Sequence, residues 1–131
     1  MRTPYSPLLL EHFQQPRNVG TLERGAAQTG TAVVGALEQG QLLQWQLHVA
    51  GDAIIDAVRF KAYGCPATIA CASLLSEWVQ GQSLEQAASL DANRLVAALA
   101  LPPLKLHCAL LAQDALRAAI DDYRRQQAVL A

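Results

Sequence analysis

Along this chain the spacing of apolar residues changes period twice, and each change predicts a different kind of element. Residues 5–14, YSPLLLEHFQ, suggest a short helix, and PRNVG then breaks it, because Pro16 and Gly20 favour a turn or extended passage. Residues 21–30 are small and polar and read as a loop. Beyond Gly30 the repeat shortens to two. TAVVGAL (31–37) is short and β-branched. LLQWQLHV (42–49) alternates strictly, with Leu43, Trp45, Leu47 and Val49 on one face and Gln44, Gln46 and His48 on the other. AIIDAVRFKAYG (53–64) sets Val58, Phe60 and Ala62 against Arg59, Lys61 and Tyr63, and Gly51-Asp52 supplies the turn between the two runs. Three strands in a meander are the simplest arrangement.

From Pro66 the period becomes helical: Ile69, Ala72, Leu75, Trp78 and Val79 recur at three- and four-residue steps, and Gly81 closes the run. SLEQAASL and DANRLVAAL each open on a residue suited to an N-cap, which predicts two short helices. The last helix begins near His107. Cys108, Leu111, Ala112, Ala115, Leu116, Ala119, Ile120 and Tyr123 form its apolar stripe, Gln113, Asp114, Arg117, Asp121 and Arg124 face water, and a tail after Gln126 is expected to fray. Strands followed by helices predict an α+β fold, a small three-stranded antiparallel sheet with helices packed on one face.

Composition narrows the function classes. At 131 residues the chain fits one domain, 1–131. With 52% apolar but only 5% aromatic residues, its core must be built from Ala, Leu and Val, which lets helices pack closely. The net charge is -1, and without any run of like charges there is no footprint for nucleic acid or an anionic membrane. The three leucines before Glu11 are too short a core for a secretory signal or a membrane span, so a cytoplasmic protein is expected. Three cysteines, an odd number, suit free thiols kept reduced.

Cys65 ends a predicted strand and begins a helix, and Cys108 begins another. A helix N-terminus favours thiolate, the form that binds metals and attacks disulfides or persulfides. Cys65, His107 and Cys108 would offer three donors to zinc or iron, although spacing alone favours ordinary buried or interfacial thiols. Cys71 lies about 240° round the helix from Cys65 and reads as core. His12 and His48 read as solvated, Tyr5 and Tyr63 as packing residues, and Asn18 as a turn former through side-chain to backbone bonds. A hydrolase using Cys108 and His107 is disfavoured, since adjacent residues on a helix seldom point at each other.

The stretches QQPRNVG (14–20), VRFKAYGC (58–65), LLSEWVQG (74–81), LPPLKLHC (101–108) and ALLAQDALRAAIDDY (109–123) together resemble the IscU/NifU type of iron-sulfur cluster scaffold, in order and over nearly the whole chain. The resemblance implies a non-enzymatic protein on which a transient [2Fe-2S] cluster is assembled. Sulfur would come from a cysteine desulfurase, and the cluster would pass to acceptor iron-sulfur proteins. It implies that Cys65 is the family's second site cysteine, His107 its histidine and Cys108 its third cysteine, which also accepts persulfide sulfur. It further implies that Leu101, Pro102, Pro103, Leu104 and Lys105 form a peptide gripped by an Hsp70-type chaperone with its co-chaperone, the prolines holding it extended. The plainer alternative is that the prolines only stop one helix and start the next.

The family loop, roughly G-A-P-A-C-G-D, corresponds here to GALEQGQ (35–41), with Gln39 in place of the first cysteine and Gln41 in place of the aspartate. A neutral amide is a poor iron donor beside a thiolate. Glu38, Gln39, a water or a second chain in a homodimer would then complete the coordination, and zinc would suit three strong ligands plus a weak one. Two other readings stay open: a cluster-free interaction or regulatory protein of an assembly pathway, and a persulfide carrier acting through Cys108.

Overall fold

The computed structural model describes residues 5–23 and 28–130. Part of the loop expected over 21–30 therefore lies outside the described residues, as do the first four residues. Helix α1 (Pro7–Gln14) is followed by strands β1 (Thr29–Ala36), β2 (Gln41–Val49) and β3 (Ile55–Tyr63). Helices α2 (Pro66–Val79), α3 (Leu84–Ala88), α4 (Ala92–Leu99) and α5 (Leu106–Leu130) complete the order. The strands form one antiparallel meander, β1-β2-β3, as the alternation predicts.

In this register Trp45 sits opposite Ala32 on one side and Phe60 on the other, and the two rings stack with centroids 6.2 Å apart. Leu43, Trp45, Leu47, Val49, Val58 and Phe60 are buried beneath α5 and α2, which pack on the sheet. The approach of α5 to β1 depends on small residues. A Cβ added at Gly30 would overlap the carbonyl oxygen of Ala119, and Asp122 Oδ2 accepts the Thr31 N–H at 2.9 Å. Helix starts follow their sequence signals: Ser6 caps α1, Ser83 and Gln86 form a capping box on α3, and Asp91 caps α4. Helix α2 is buried almost all round, from Ala67 to Ser76 with only Ile69 less covered, so its true contact surface is wider than the predicted stripe.

Several expectations are corrected. Gln46, expected on a solvated strand face, is fully buried: its Oε1 accepts the Leu22 N–H at 2.8 Å and its Nε2 donates to Thr31 Oγ1. Tyr63 is 70% exposed and does not pack. Asn18 bonds side chain to side chain, donating to Ser76 Oγ and accepting from Arg59, while its φ of 62° makes the turn. The tail after Gln126 stays helical to Leu130, with Gln126 bonded back to Asp122. His48 is half-buried and pairs with Asp56 at 2.6 Å.

His12 departs furthest from expectation. It is 2% exposed, wedged between α1 and α2, with Nδ1 2.7 Å from Ser73 Oγ and Nε2 3.3 Å from Glu77. Burial, then the charge of Arg17, hold its pKa below the ordinary 6.5. The unfolded chain titrates this group at its ordinary value, so below about 6.5 it binds a proton that the native state excludes. The contribution of His12 is complete above that pH and is lost as pH falls through the depressed folded-state value. The urea midpoint is therefore expected to drop between pH 7.5 and pH 5, and His12→Gln should flatten that dependence. An unchanged slope in the variant would assign the drop to other groups.

Candidate functional site

The ends of two helices converge on the sulfur chemistry. Cys65 is the N-cap of α2, directly before Pro66, and Cys108 lies in the first turn of α5. Their Sγ atoms are 3.7 Å apart although 43 residues separate them. Thr68, one turn into α2, approaches both: its hydroxyl is 3.4 Å from Cys108 Sγ and 3.7 Å from Cys65 Sγ. Gly64 makes this possible, since a Cβ there would come within 2.9 Å of Thr68 Oγ1. His107 Nε2 is 3.6 Å from Cys108 Sγ. The three donors singled out in the sequence are thus brought together, with Cys108 in the middle. Cys71 is fully buried in the core of α2, as expected.

The two thiols differ in character. Burial pushes Cys65 up, but hydrogen bonds from the Thr68 N–H and hydroxyl, from Cys108 and from the Ala67 N–H outweigh it, and its pKa falls to about 7. Cys108 is fully buried, and burial followed by the negative charge of Cys65 raises it to about 11 despite the Thr68 hydroxyl. The expectation of two acidic thiols holds for Cys65 and fails for Cys108. One helix N-terminus cannot offset full burial next to a second thiolate. The Lys105 ammonium is held above its ordinary value, first by the charge of Cys65 and next by Tyr5, which sets a cation beside the half-buried thiol.

These spacings suit a tetrahedral metal. Two sulfurs each about 2.3 Å from one ion lie about 3.8 Å apart, and a sulfur and an imidazole nitrogen lie about 3.6 Å apart. The observed 3.7 Å and 3.6 Å match those two edges. Among the described residues no closed group of three His, Cys, Asp or Glu side chains is positioned to hold a metal ion. Two edges are in place, and the exposed His107 would have to turn to close the third.

Next to this trio is a cleft of about 400 Å3 lined by Gly35, Gln39, Gln41, His107, Leu110, Leu111 and Asp114. Gln39 and Gln41 therefore line the same cleft as His107. Glu38 sits on the exposed 3-10 turn Leu37–Gln39 and does not line the cleft. The carboxylate that does is Asp114, which the sequence placed only among water-facing residues. Its signal was the seven-residue step from His107, which puts both on one face of α5. Thr68 was also missed; it lies three residues after Cys65, one helical turn away. A larger cleft of about 500 Å3, where Arg94 stands over the Trp78 ring, holds neither thiol nor imidazole.

The segment between α4 and the site is only partly extended. Pro102 has φ -61° and ψ 148°, but Pro103–Lys105 form a 3-10 turn, because the chain must reverse into α5. Leu101 is buried, whereas Leu104 is 87% exposed.

The α+β fold thus brings two helix-start cysteines and a histidine together beside a cleft. Residues 4–129 match the model of the NifU-like N terminal domain, and the chain belongs to that family. It is 44% identical over 123 residues to the iron-sulfur cluster assembly scaffold protein IscU of Haemophilus influenzae, covering 94% of this chain and 98% of that protein. The Azotobacter vinelandii scaffold protein IscU is 40% identical over 126 residues, 96% of this chain and 98% of that one. The fold also matches the N-terminal part of a nitrogen-fixing NifU-like protein from Brucella abortus, with TM-score 0.70 and 17% identity over 92% of this chain and 94% of that one. Among the described residues no helix is long and apolar enough to cross a membrane.

Proposed function

We propose that the chain is an iron-sulfur cluster assembly protein, a scaffold of the IscU/NifU type and not an enzyme, working as one domain in the cytoplasm. The observation that carries this reading is the Cys65–Cys108 sulfur pair at 3.7 Å with His107 Nε2 3.6 Å from Cys108. Cys65, His107 and Cys108 would hold iron, a transient [2Fe-2S] cluster or Zn2+, and Gln39, which lines the adjoining cleft, is better placed than Glu38 to add a weak oxygen donor. A second chain would supply a stronger fourth ligand.

Sulfur from a cysteine desulfurase would be accepted at the pair. The family resemblance makes Cys108 the acceptor; in this chain Cys108 is fully buried and Cys65 half-buried, so sulfur from an outside donor is first taken up by Cys65. Leu101–Lys105 would serve the Hsp70-type chaperone and its co-chaperone, with Leu104 as the exposed anchor. The buried Leu101 implies that full groove binding requires this segment to lift from the fold. Acceptor iron-sulfur proteins complete the set of partners.

A second reading has its own support. Gln39 and Gln41 face the site with neutral amides where the family has two anionic ligands, which suits a cluster-free accessory protein or persulfide carrier. Anaerobic reconstitution with iron, cysteine and a desulfurase separates the two readings. The native chain is expected to bind iron and sulfide in equal amounts with [2Fe-2S] absorption, and to lose them about tenfold faster than a Gln39→Cys, Gln41→Asp variant. If only the variant acquires a cluster, the native chain is not a scaffold by itself.

A further inference from the structure

We infer that Cys65 and Cys108 work as a dithiol that reduces a delivered sulfane sulfur to hydrogen sulfide and is left as a Cys65–Cys108 disulfide. This deepens the sulfur-accepting reading above and rests on it. Sulfur handed over as a persulfide is two electrons more oxidised than the sulfide of a cluster, so some donor must supply the pair of electrons. Two thiols in contact can do so.

The geometry points to this step. The two sulfurs are 3.7 Å apart, with the Thr68 hydroxyl against both. Cys65 is the half-buried member and Cys108 the fully buried one, so an outside donor meets Cys65 first and its sulfur is then next to a resolving thiol. Gln39 and Gln41, which line the adjoining cleft, offer neutral amides and no thiolate that could compete for the persulfide. The remaining cysteine, Cys71, is sealed in the core.

In the step proposed, the Cys108 sulfur attacks Sγ of a Cys65 persulfide, the atom it already faces. The Sγ–Sγ bond forms as the bond from Cys65 Sγ to the outer sulfur breaks. The bonding pair leaves with the outer sulfur, which takes up the thiol proton and departs as hydrogen sulfide. The two thiols together lose two electrons and the sulfane sulfur gains them. The sulfurs must close from 3.7 Å to about 2.05 Å, a change within reach of side-chain rotation at two helix starts. A thiol reductant, either a low-molecular-weight thiol or a protein dithiol, then restores the pair by exchange.

The test mixes the reduced, metal-free chain anaerobically with a cysteine desulfurase preloaded as its persulfide and freed of cysteine and other thiols. Sulfide is trapped and chains are weighed by intact mass spectrometry. The native chain is expected to release about one sulfide per sulfur accepted and to become about 2 Da lighter, its peptides joined through Cys65 and Cys108. Cys108→Ser should instead gain about 32 Da at Cys65 and release about tenfold less sulfide. Cys65→Ser, at a less buried position, provides the same loss of sulfide release if the Cys108 variant fails to fold. A native chain that keeps a stable persulfide without releasing sulfide overturns the inference while sulfur acceptance stands. Sulfide release without the disulfide, or at the native rate from either variant, also overturns it. If neither native nor variant chains take up sulfur, the sulfur-accepting reading fails first and takes the inference with it.

Discussion

Gly30→Ala is expected to lower the unfolding free energy by about 3 kcal/mol, the upper part of the range for forcing extra atoms into a packed interior. The new Cβ would overlap the Ala119 carbonyl oxygen and stand 3.0 Å from Tyr123 Cβ. The first of these is helix backbone, which cannot swing aside, so α5 has to move away from β1 and strain the Asp122 bond to the Thr31 N–H. For a domain of this size that loss corresponds to a fall of roughly 10 °C in melting temperature. Gly51→Ala, where an added Cβ meets nothing within 4 Å, should stay within about 0.5 kcal/mol of the native chain. Equal melting temperatures for the two variants would refute the account of the β1–α5 contact. The effect also reaches the site, because α5 carries His107 and Cys108 in its first turn.

Cys108→Ala should cost the site about a hundredfold or more in zinc affinity. Structural zinc sites release roughly 10–16 kcal/mol over four ligands, or about 3 kcal/mol per ligand. Cys108 is also the atom common to both tetrahedral edges, 3.7 Å from Cys65 and 3.6 Å from His107. Without it the remaining thiol and imidazole have no shared vertex. Gln39→Ala removes only a neutral oxygen donor and is expected to change affinity by less than about threefold. Competition with a chromophoric chelator measures both. A Cys108→Ala chain that folds and binds zinc as tightly as the native one would move the site elsewhere.

What the sequence made legible follows from period and punctuation. The alternation from Leu43 to Val49 and from Val58 to Tyr63 gave two strands, and Pro66 and the Ala/Leu stripe of α5 gave two helix positions. Burial of polar residues was not legible. Gln46 and His12 are covered by segments distant in sequence, near Leu22 and on α2, so no local pattern marks them. Tyr63 failed in the opposite direction, because it is the last residue of its strand, where the alternation has no covering layer to act on. At the site, spacing offered Cys65, His107 and Cys108 as possible shared ligands but carried no sign that they meet, and the family resemblance strengthened that grouping. Their acidities could not be read either, since both have the same helix-end signal and differ in burial, in the hydrogen bonds each receives and in the charge each faces.

The contact between the start of α2 and the start of α5 also bears on how cargo and fold depend on each other. A bond, or a bridging metal, between residues 43 apart closes a loop that contains all of α2, α3 and α4. By chain-entropy reckoning, such a closure removes about 4 kcal/mol of freedom from the unfolded chain. Whatever occupies the pair therefore acts as a staple across the helical half of the molecule. The chain with its pair bridged, by a disulfide or by metal, should be the form most resistant to unfolding and proteolysis, and opening that bridge leaves behind a looser protein.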